Sequence, residues 1–125
     1  MNNKGQTLAL FIVILPILAM LVVFIYDIGR MTLLRSELDD INYMAISYGL
    51  DNISSIDNNK LEEIIKKNKN DIDKISININ DGKIEILLED NIKNNFKILS
   101  NTNMFKVKSS YYGYLNEDKK IIERD

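Results

Sequence analysis

An unbroken apolar run near the N-terminus is the first feature of the hydrophobic pattern. Residues 7–26 read TLALFIVILPILAMLVVFIY, and no charged residue lies between Lys4 and Asp27. At about 1.5 Å per helical residue, this run reaches roughly 30 Å, which is the thickness of the hydrocarbon core of a bilayer. Tyr26 stands where interfacial aromatic residues are enriched. The pattern predicts a transmembrane helix over residues 7–26 behind a short tail over residues 1–6.

Two other interpretations of this run fit less well. A buried helix of a soluble protein would need a surrounding domain, and a chain of 125 residues is short for that. A cleaved secretory signal would have a shorter apolar region followed by an A-x-A-like site. Pro16 removes a backbone hydrogen bond to the carbonyl of Ile12, so we expect a kink there and packing against partner helices. Charge does not decide the orientation, because Lys4 lies on one side and Arg30 and Arg35 lie on the other.

Beyond Asp27 the apolar positions take the spacing of an amphipathic helix. They recur at intervals of three and four residues and form one face, which comprises Met31, Leu34, Leu38, Ile41, Ala45 and Tyr48. Gly49 is placed to end the helix as a C-terminal cap. We therefore predict one nearly continuous helix over residues 7–48, with an amphipathic extension over residues 27–49. Its apolar face is covered by the protein's own domain, by other subunits, or by both.

The remaining residues, 50–125, predict a small α+β domain. Residues 51–59 are polar and turn-rich, so they read as a loop. Asn59 is predicted to cap a short helix over residues 60–69, because the apolar positions Leu61, Ile64 and Ile65 there share one helical face.

A β-hairpin is predicted next. Isoleucines alternate with polar residues over residues 75–79, and apolar residues alternate again over residues 84–88. The two runs flank an Asp81-Gly82 step, which is a strong turn signal between strands.

The C-terminal part of the domain predicts further strands. Residues 91–99 fit either a short helix or a loop that buries Phe96 and Ile98 or Leu99. Residues 104–115 alternate, with Phe105, Val107 and Tyr111 on one face and Lys106, Lys108, Tyr112 and Tyr114 on the other. After a turn at residues 116–118, residues 119–123 predict an edge strand that lysines protect from aggregation. The fold class is thus α+β: a long helix, one short helix and three or four antiparallel strands that the outer half of the long helix covers.

Composition removes most catalytic chemistry. The chain has no Cys and no His, and its net charge is −2. It therefore lacks thiol nucleophiles, imidazole bases and the commonest metal ligand. Its charge gives no electrostatic basis for binding nucleic acid. We expect no enzyme activity, no cofactor and no small-molecule substrate.

Three local motifs that could suggest a functional site are also explained by ordinary structural roles. The stretch before Gly82 resembles a calcium loop, but Ile77, Ile79 and Leu88 would then occupy ligand positions, so a hairpin turn is favoured. The paired acids Glu62-Glu63 and Asp71/Asp73 read as solvated charges. A cluster of aromatic residues serves either sheet packing or a contact surface; it contains Tyr111, Tyr112 and Tyr114.

The N-terminal motifs together resemble the signature of the TadE/TadG-like proteins, which are minor pilins or pseudopilins of Tad (Flp) pilus systems. The resemblance covers roughly residues 4–49 and rests on Lys4-Gly5-Gln6, the apolar run with Leu15-Pro16, Asp27-Ile28-Gly29-Arg30, and Arg35-Ser36-Glu37-Leu38. It implies a prepilin-type cleavage between Gly5 and Gln6, a cytoplasmic N-terminus and an extracytoplasmic domain, so that the protein is a single-pass protein of the cell membrane.

One position departs from the common pilin pattern. Leu10 stands where pilins commonly carry a glutamate that pairs with a neighbour's terminal amine inside the bilayer, and leucine cannot form that pair. The resemblance therefore favours a position at the tip or base of the assembly, or an unprocessed subunit.

The function that follows is structural. We expect a subunit that contacts membrane lipid and other pilin-like or pilus-assembly membrane proteins through its helix, at Leu10, Pro16, Asp27, Arg30, Met31, Leu34, Leu38 and Ile41. Asp27 and Arg30, one turn apart, are expected to pair at the interface. The alternative is a stand-alone binding module tethered by a single helix.

Overall fold

The fold is an open antiparallel sheet with one long helix lying across it. A computed structural model of the protein describes residues 3–93 and 104–125. Two helices, α1 (Asn3–Asp51) and α2 (Asn58–Asn68), precede four strands, β1 (Lys74–Asn80), β2 (Lys83–Lys93), β3 (Met104–Asn116) and β4 (Lys119–Arg124). The strands form one antiparallel sheet in the order β1-β2-β3-β4. The predicted α+β class, with its long N-terminal helix, is confirmed.

Helix α1 is continuous over 49 residues and contains Pro16 in its interior. It begins at Asn3, earlier than the predicted start at Thr7, and the Thr7 hydroxyl donates a hydrogen bond of 2.9 Å to the Asn3 carbonyl. Residues 3–6 are thus helical, because a helix already nucleated gains one backbone hydrogen bond for each residue added.

The predicted end of α1 at Gly49 is wrong. The helix runs on to Asp51, and Gly49 is buried inside it. A Cβ added at Gly49 would lie 2.6 Å from Cδ1 of Ile84 and 3.3 Å from Cδ2 of Leu61. Glycine is used there because α1 packs closely on the domain at that point.

The predicted cap of α2 is also displaced. The N-cap is Asp57, whose Oδ1 accepts a hydrogen bond of 2.7 Å from the backbone N–H of Lys60. Asn59, the predicted cap, lies within the helix, because the carboxylate two residues earlier already satisfies the free N–H of the first turn. The predicted inner face is confirmed, since Leu61 and Ile65 are buried.

Both hairpin turns use left-handed backbone conformations. In the β1–β2 turn, φ is 50° at Asp81 and 79° at Gly82, as a type I′ turn requires. In the β3–β4 turn, Glu117 and Asp118 have φ of 52° and 66°. The predicted turns at residues 80–82 and 116–118 are confirmed.

Strand β2 is longer than predicted. Residues 91–93, part of the segment predicted as helix or loop, continue β2 and pair with β3. The predicted burial of Phe96 and of Ile98 or Leu99 lies outside the described residues.

The core lies between the outer half of α1 and one face of the sheet. It is apolar and continuous across α1, α2, β2 and β3, and it comprises Leu38, Ile41, Ala45, Ile46, Leu50, Leu61, Ile65, Ile84, Ile86, Leu88 and Val107. In β3 the predicted alternation is confirmed: Val107 is buried, Phe105 and Tyr111 are half-buried, and Lys106 and Lys108 are exposed.

A buried amide joins α1 to the sheet within this core. Asn42 is fully buried, and its Nδ2 donates hydrogen bonds of 3.0 Å to the Ile86 carbonyl and 3.1 Å to the Ser109 carbonyl. The Ser109 hydroxyl donates to Asp39 Oδ1 at 2.6 Å, and Arg124 lies 3.0 Å from Asp39 Oδ2. A polar chain thus runs from the core to the surface across α1, β3 and β4.

Substitution of Gly113 by Ala tests how closely α1 approaches β3. A Cβ there would collide with Cγ2 of Ile46 and would lie 3.3 Å from the backbone carbonyl oxygen of Ile121. We expect a loss of about 1–3 kcal/mol in the free energy of unfolding, because backbone on one side prevents relaxation. Thermal unfolding followed by near-UV circular dichroism measures it. Gly29→Ala is the control, since Gly29 has open space around it; equal stability of the two variants would contradict the close approach.

Candidate functional site

The apolar half of α1 is an extended surface that the rest of the described chain leaves uncovered. Every residue from Leu8 to Tyr26 is exposed, and large aliphatic and aromatic side chains dominate this stretch. Within the described part of the chain, α1 is the one helix that is long and apolar enough to cross a membrane. Soluble proteins rarely expose a continuous apolar surface of this extent.

The N-terminal residues of the predicted cleavage motif lie at the start of this surface. Gly5 and Gln6 are exposed in the first turns of α1, and a Cβ added at Gly5 would have no atom of the described residues within 4 Å beyond its own helix neighbours. Leu10 and Pro16 are exposed further along the same helix. A partner protein or lipid can therefore reach all four positions without any rearrangement of the chain.

The junction between apolar and amphipathic segments carries charge. Asp27 is only 4% exposed. Arg30 is half-buried, and its guanidinium carbon lies 5.6 Å from the ring centroid of Tyr26, within the range of a cation–π contact. The pairing of Asp27 with Arg30 stays a prediction.

The predicted apolar face of the outer half is covered largely by the chain itself. Leu38, Ile41 and Ala45 are buried, while Met31 and Leu34 are half-buried against the same core. The other end of the face differs, since Tyr48 is 40% exposed. Of the two expectations for this face, cover by the protein's own domain is confirmed, and cover by other subunits stays a prediction.

An ion cluster closes one side of α1 near the junction. Lys69 Nζ lies 3.1 Å from a carboxylate oxygen of Asp71, 3.9 Å from Asp90 and 4.0 Å from Glu37. Burial lowers the pKa of Lys69, but the hydrogen bond to Asp71 and the surrounding carboxylates outweigh it, so the net pKa is raised. The hydrogen bond from Lys69 lowers the pKa of Asp71. Three acids from different elements thus meet one cation, which holds the end of α2 against α1 and β2.

The face of the sheet turned away from α1 carries an aromatic pair. The rings of Tyr112 and Tyr114 stack with centroids 6.4 Å apart, and Lys83 Nζ lies 4.7 Å from the Tyr112 ring centroid. The Tyr112 hydroxyl donates a hydrogen bond of 2.6 Å to Glu123, which raises the pKa of Tyr112. Tyr111 faces α1 instead, and its hydroxyl accepts a hydrogen bond from Arg124. The predicted tyrosine cluster is therefore divided between the two faces.

The sequence reasoning missed Asn42 and its network. Asn42 lies four residues after Leu38 and three before Ala45, so its position beside the apolar face could have indicated a buried polar side chain. Its partners Ser109 and Ile86 are distant in sequence and gave none. In the described ranges, no group of three or more His, Cys, Asp or Glu residues is arranged to hold a metal ion.

Comparisons with protein-family models, curated proteins and solved structures find no match to this chain. The geometry therefore defines the class of the protein only by its architecture. It is an α+β domain built on the outer half of a helix whose inner half is long and apolar enough to cross a membrane.

Proposed function

We propose that this protein is a single-pass membrane protein that acts as a structural subunit of a pilus or secretion machine, similar to the minor pilins and pseudopilins of the TadE/TadG type. In this proposal the N-terminus is cytoplasmic and the α+β domain is extracytoplasmic. The carrying observation is that Leu8–Tyr26 lies entirely outside the chain's own core while the same helix continues into that core.

The physical argument begins with the uncovered helix. The hydrocarbon core of a membrane would cover the apolar side chains of this helix. Apart from the groups freed at Pro16, the backbone polar groups of the helix are paired within it, as lipid requires. Helices in lipid associate through close packing and scattered polar contacts, so the exposed Leu10 and Pro16 are available to a neighbour.

The continuity of α1 supplies the mechanism. The helix is both the membrane anchor and the element on which the sheet packs, so a lateral contact inside the bilayer sets the position of the domain outside it. Asn42 and the ion cluster around Lys69 secure the outer half of this helix to the sheet and to α2. A rigid subunit of this kind transmits a displacement of its helix to its domain.

Photo-crosslinking tests the assembly. A photoreactive amino acid in place of Leu10, in cells that contain the native machine, is expected to give adducts with a second copy or another single-helix membrane protein. The same amino acid in place of Tyr114, which is exposed on the domain far from the membrane helix, is the control. A chain that inserts fully but reacts only with lipid at Leu10 would contradict the proposal.

Intact mass, measured in the same membranes, separates the roles. A mass that lacks Met1 to Gly5, together with adducts at Leu10, is expected for a processed tip or base subunit. A full-length mass with the same adducts indicates an unprocessed subunit. A full-length mass without adducts favours the tethered binding module.

A further inference from the structure

A groove lies between α1 and β3 just beyond the apolar half of the helix. Its walls are Ile28, Met31, Thr32 and Arg35 of α1 and residues 106–108 of β3, and its volume is about 450 Å³. This lies within the range of about 300–1,000 Å³ that is typical of small-molecule sites. We call it the membrane-proximal groove.

The groove combines an apolar floor with basic walls. Ile28, Met31 and Val107 supply the apolar surface, and Arg35 supplies charge from α1. Lys106 and Lys108 leave β3 on the face turned away from α1 and border the groove at the edge of the strand. Lys108 Nζ lies 3.4 Å from a carboxylate oxygen of Glu89 and is partly compensated. Arg35 and Lys106 are exposed and form no ion pair with any other described residue. Within residues 3–93 and 104–125, Arg35 and Lys106 are therefore two positive charges that no carboxylate compensates by an ion pair.

One edge of β3 is open beside the groove. Strand β4 pairs only with residues 111–116 of β3. Among the described strands, none pairs with residues 106–108 on that side.

The groove lies at the height of lipid headgroups if Tyr26 marks the end of the hydrocarbon core. At about 1.5 Å per residue, Ile28 is then about 3 Å and Met31 about 8 Å beyond that boundary. The headgroup layer of each leaflet is about 5–8 Å thick. Arg35 is higher, but helical side chains lean toward the helix N-terminus, here the membrane, and a long guanidinium side chain can reach down to the headgroups.

The other side of α1 has the opposite character. There Glu37, Asp71 and Asp90 surround Lys69, and Arg30 lines the same cavity, so three carboxylates face two cations. The five charged side chains on that side sum to −1, whereas the charged side chains that line the groove are all basic, so an anionic headgroup is favoured on the side of the groove. The asymmetry argues for a localised site instead of a general positive collar.

We propose that the membrane-proximal groove binds the headgroup phosphate of an anionic phospholipid, with Arg35 and Lys106 contacting the phosphate and Ile28 and Met31 contacting the glycerol and first methylenes. This inference rests on the proposed membrane anchoring. The lipid would hold the domain against the membrane surface and restrict the rotation of α1.

Native mass spectrometry of the full chain in detergent micelles tests this site. Phosphatidylglycerol is expected to bind more tightly than phosphatidylcholine with the same acyl chains. Arg35→Gln combined with Lys106→Gln should weaken phosphatidylglycerol binding about 30-fold, because each basic residue near an anionic surface contributes a factor of about five. Arg35→Lys with Lys106→Arg should preserve binding.

The control removes the same charge at the far end of the domain. Lys60→Gln with Lys119→Gln is expected to leave phosphatidylglycerol binding unchanged, since Lys60 precedes the contact of Leu61 with Gly49 and Lys119 follows the distal turn. Equal losses in both double variants, or equal affinity for the two lipids, would overturn the proposal. The proposal would also be overturned if the Arg35 and Lys106 variant lost binding of a second protein copy and not of the lipid. Full displacement of the lipid by inorganic phosphate would overturn it too.

Membrane association of the wild-type chain, measured by carbonate extraction, separates this proposal from the proposed function. If carbonate extracts the chain from the membrane, both the proposed function and the lipid site are contradicted. If the chain stays in the membrane but does not prefer phosphatidylglycerol, only the lipid site is contradicted. All groove substitutions lie at exposed positions, so near-UV circular dichroism of each variant should match the wild type.

Discussion

Leu38→Asp is expected to separate the sheet from α1 and to unfold the domain in the full-length protein. Leu38 has no exposed surface and lies in the middle of the core. The substitution removes a buried side chain worth about 2–5 kcal/mol and adds a charge without a partner, which costs several kcal/mol more. A small domain has only about 5–15 kcal/mol of stability. The measurements are near-UV circular dichroism of the tyrosines and amide hydrogen exchange of β2 and β3 in micelles.

Leu33→Asp is the matched control for this substitution. Leu33 lies on the same outer half of α1 but is 72% exposed, so the same chemical change should shift stability by no more than about 0.5 kcal/mol. The apolar half of α1 is unchanged in both variants, so both should insert into membranes normally. If Leu38→Asp retained the folded signal, membrane insertion and partner crosslinks of the wild type, the assignment of the apolar face to the core would be wrong.

The long helix was predictable because its two halves each have a strong and independent signal. Residues 7–26 are apolar on every side, and the outer half repeats apolar residues at helical spacing as far as Ala45. The same pattern could not say what covers the outer face, because an apolar stripe has one appearance whether a sheet or another subunit packs on it. Only the positions of Ile84, Ile86 and Val107 against Leu38 and Ala45 decide this in favour of the domain.

The two boundary errors have physical causes. Gly49 satisfied the rule for a C-terminal cap, but tertiary packing against Ile84 and Leu61 used the same lack of a Cβ for a different purpose. Asn59 and Asp57 are both good N-caps, and only the backbone shows that Asp57 has the extended conformation that a cap requires.

The membrane-proximal groove was beyond reach of the sequence because its residues come from distant segments. Arg35 and Lys106 lie 71 positions apart in the sequence of 125 residues (106 − 35), and only the antiparallel register of β2 and β3 brings the start of β3 beside α1. The lysine pattern in β3 predicted an exposed face, which is correct, but it did not indicate that Arg35 would lie next to it.

Asn42→Asp is expected to be the most disruptive nearly isosteric change in the domain. Nδ2 of Asn42 donates hydrogen bonds to the carbonyl oxygens of Ile86 and Ser109, at 3.0 and 3.1 Å. A carboxylate has no proton to donate at neutral pH, so an oxygen with negative charge would face two carbonyl oxygens in a fully buried position. Asp39 lies nearby as the acceptor of the Ser109 hydroxyl and adds a second negative charge. We expect a loss of about 3–5 kcal/mol in the free energy of unfolding.

Asn68→Asp provides the control with the same chemistry on the surface. Asn68 Nδ2 also donates to a backbone carbonyl, that of Ile64 at 2.9 Å, but the side chain is exposed. Water can replace that hydrogen bond, so the expected change is within about 0.5 kcal/mol. Equal stability of the two variants in denaturant titrations would show that the amide of Asn42 does not hold α1 to the sheet.

The stability of the Asn42→Asp variant should depend on pH, whereas a simple packing defect would lower stability by the same amount at every pH. Burial without a donor raises the pKa of the introduced carboxyl in the folded state above its unfolded value of about 3.9. Below that unfolded value the group is protonated in both states, and its O–H can donate to one of the two carbonyls. The deficit relative to wild type should therefore be smallest near pH 4, grow as pH rises toward the folded pKa, and then stay constant. A deficit independent of pH across that range would mean that the substitution acts through shape and not through charge.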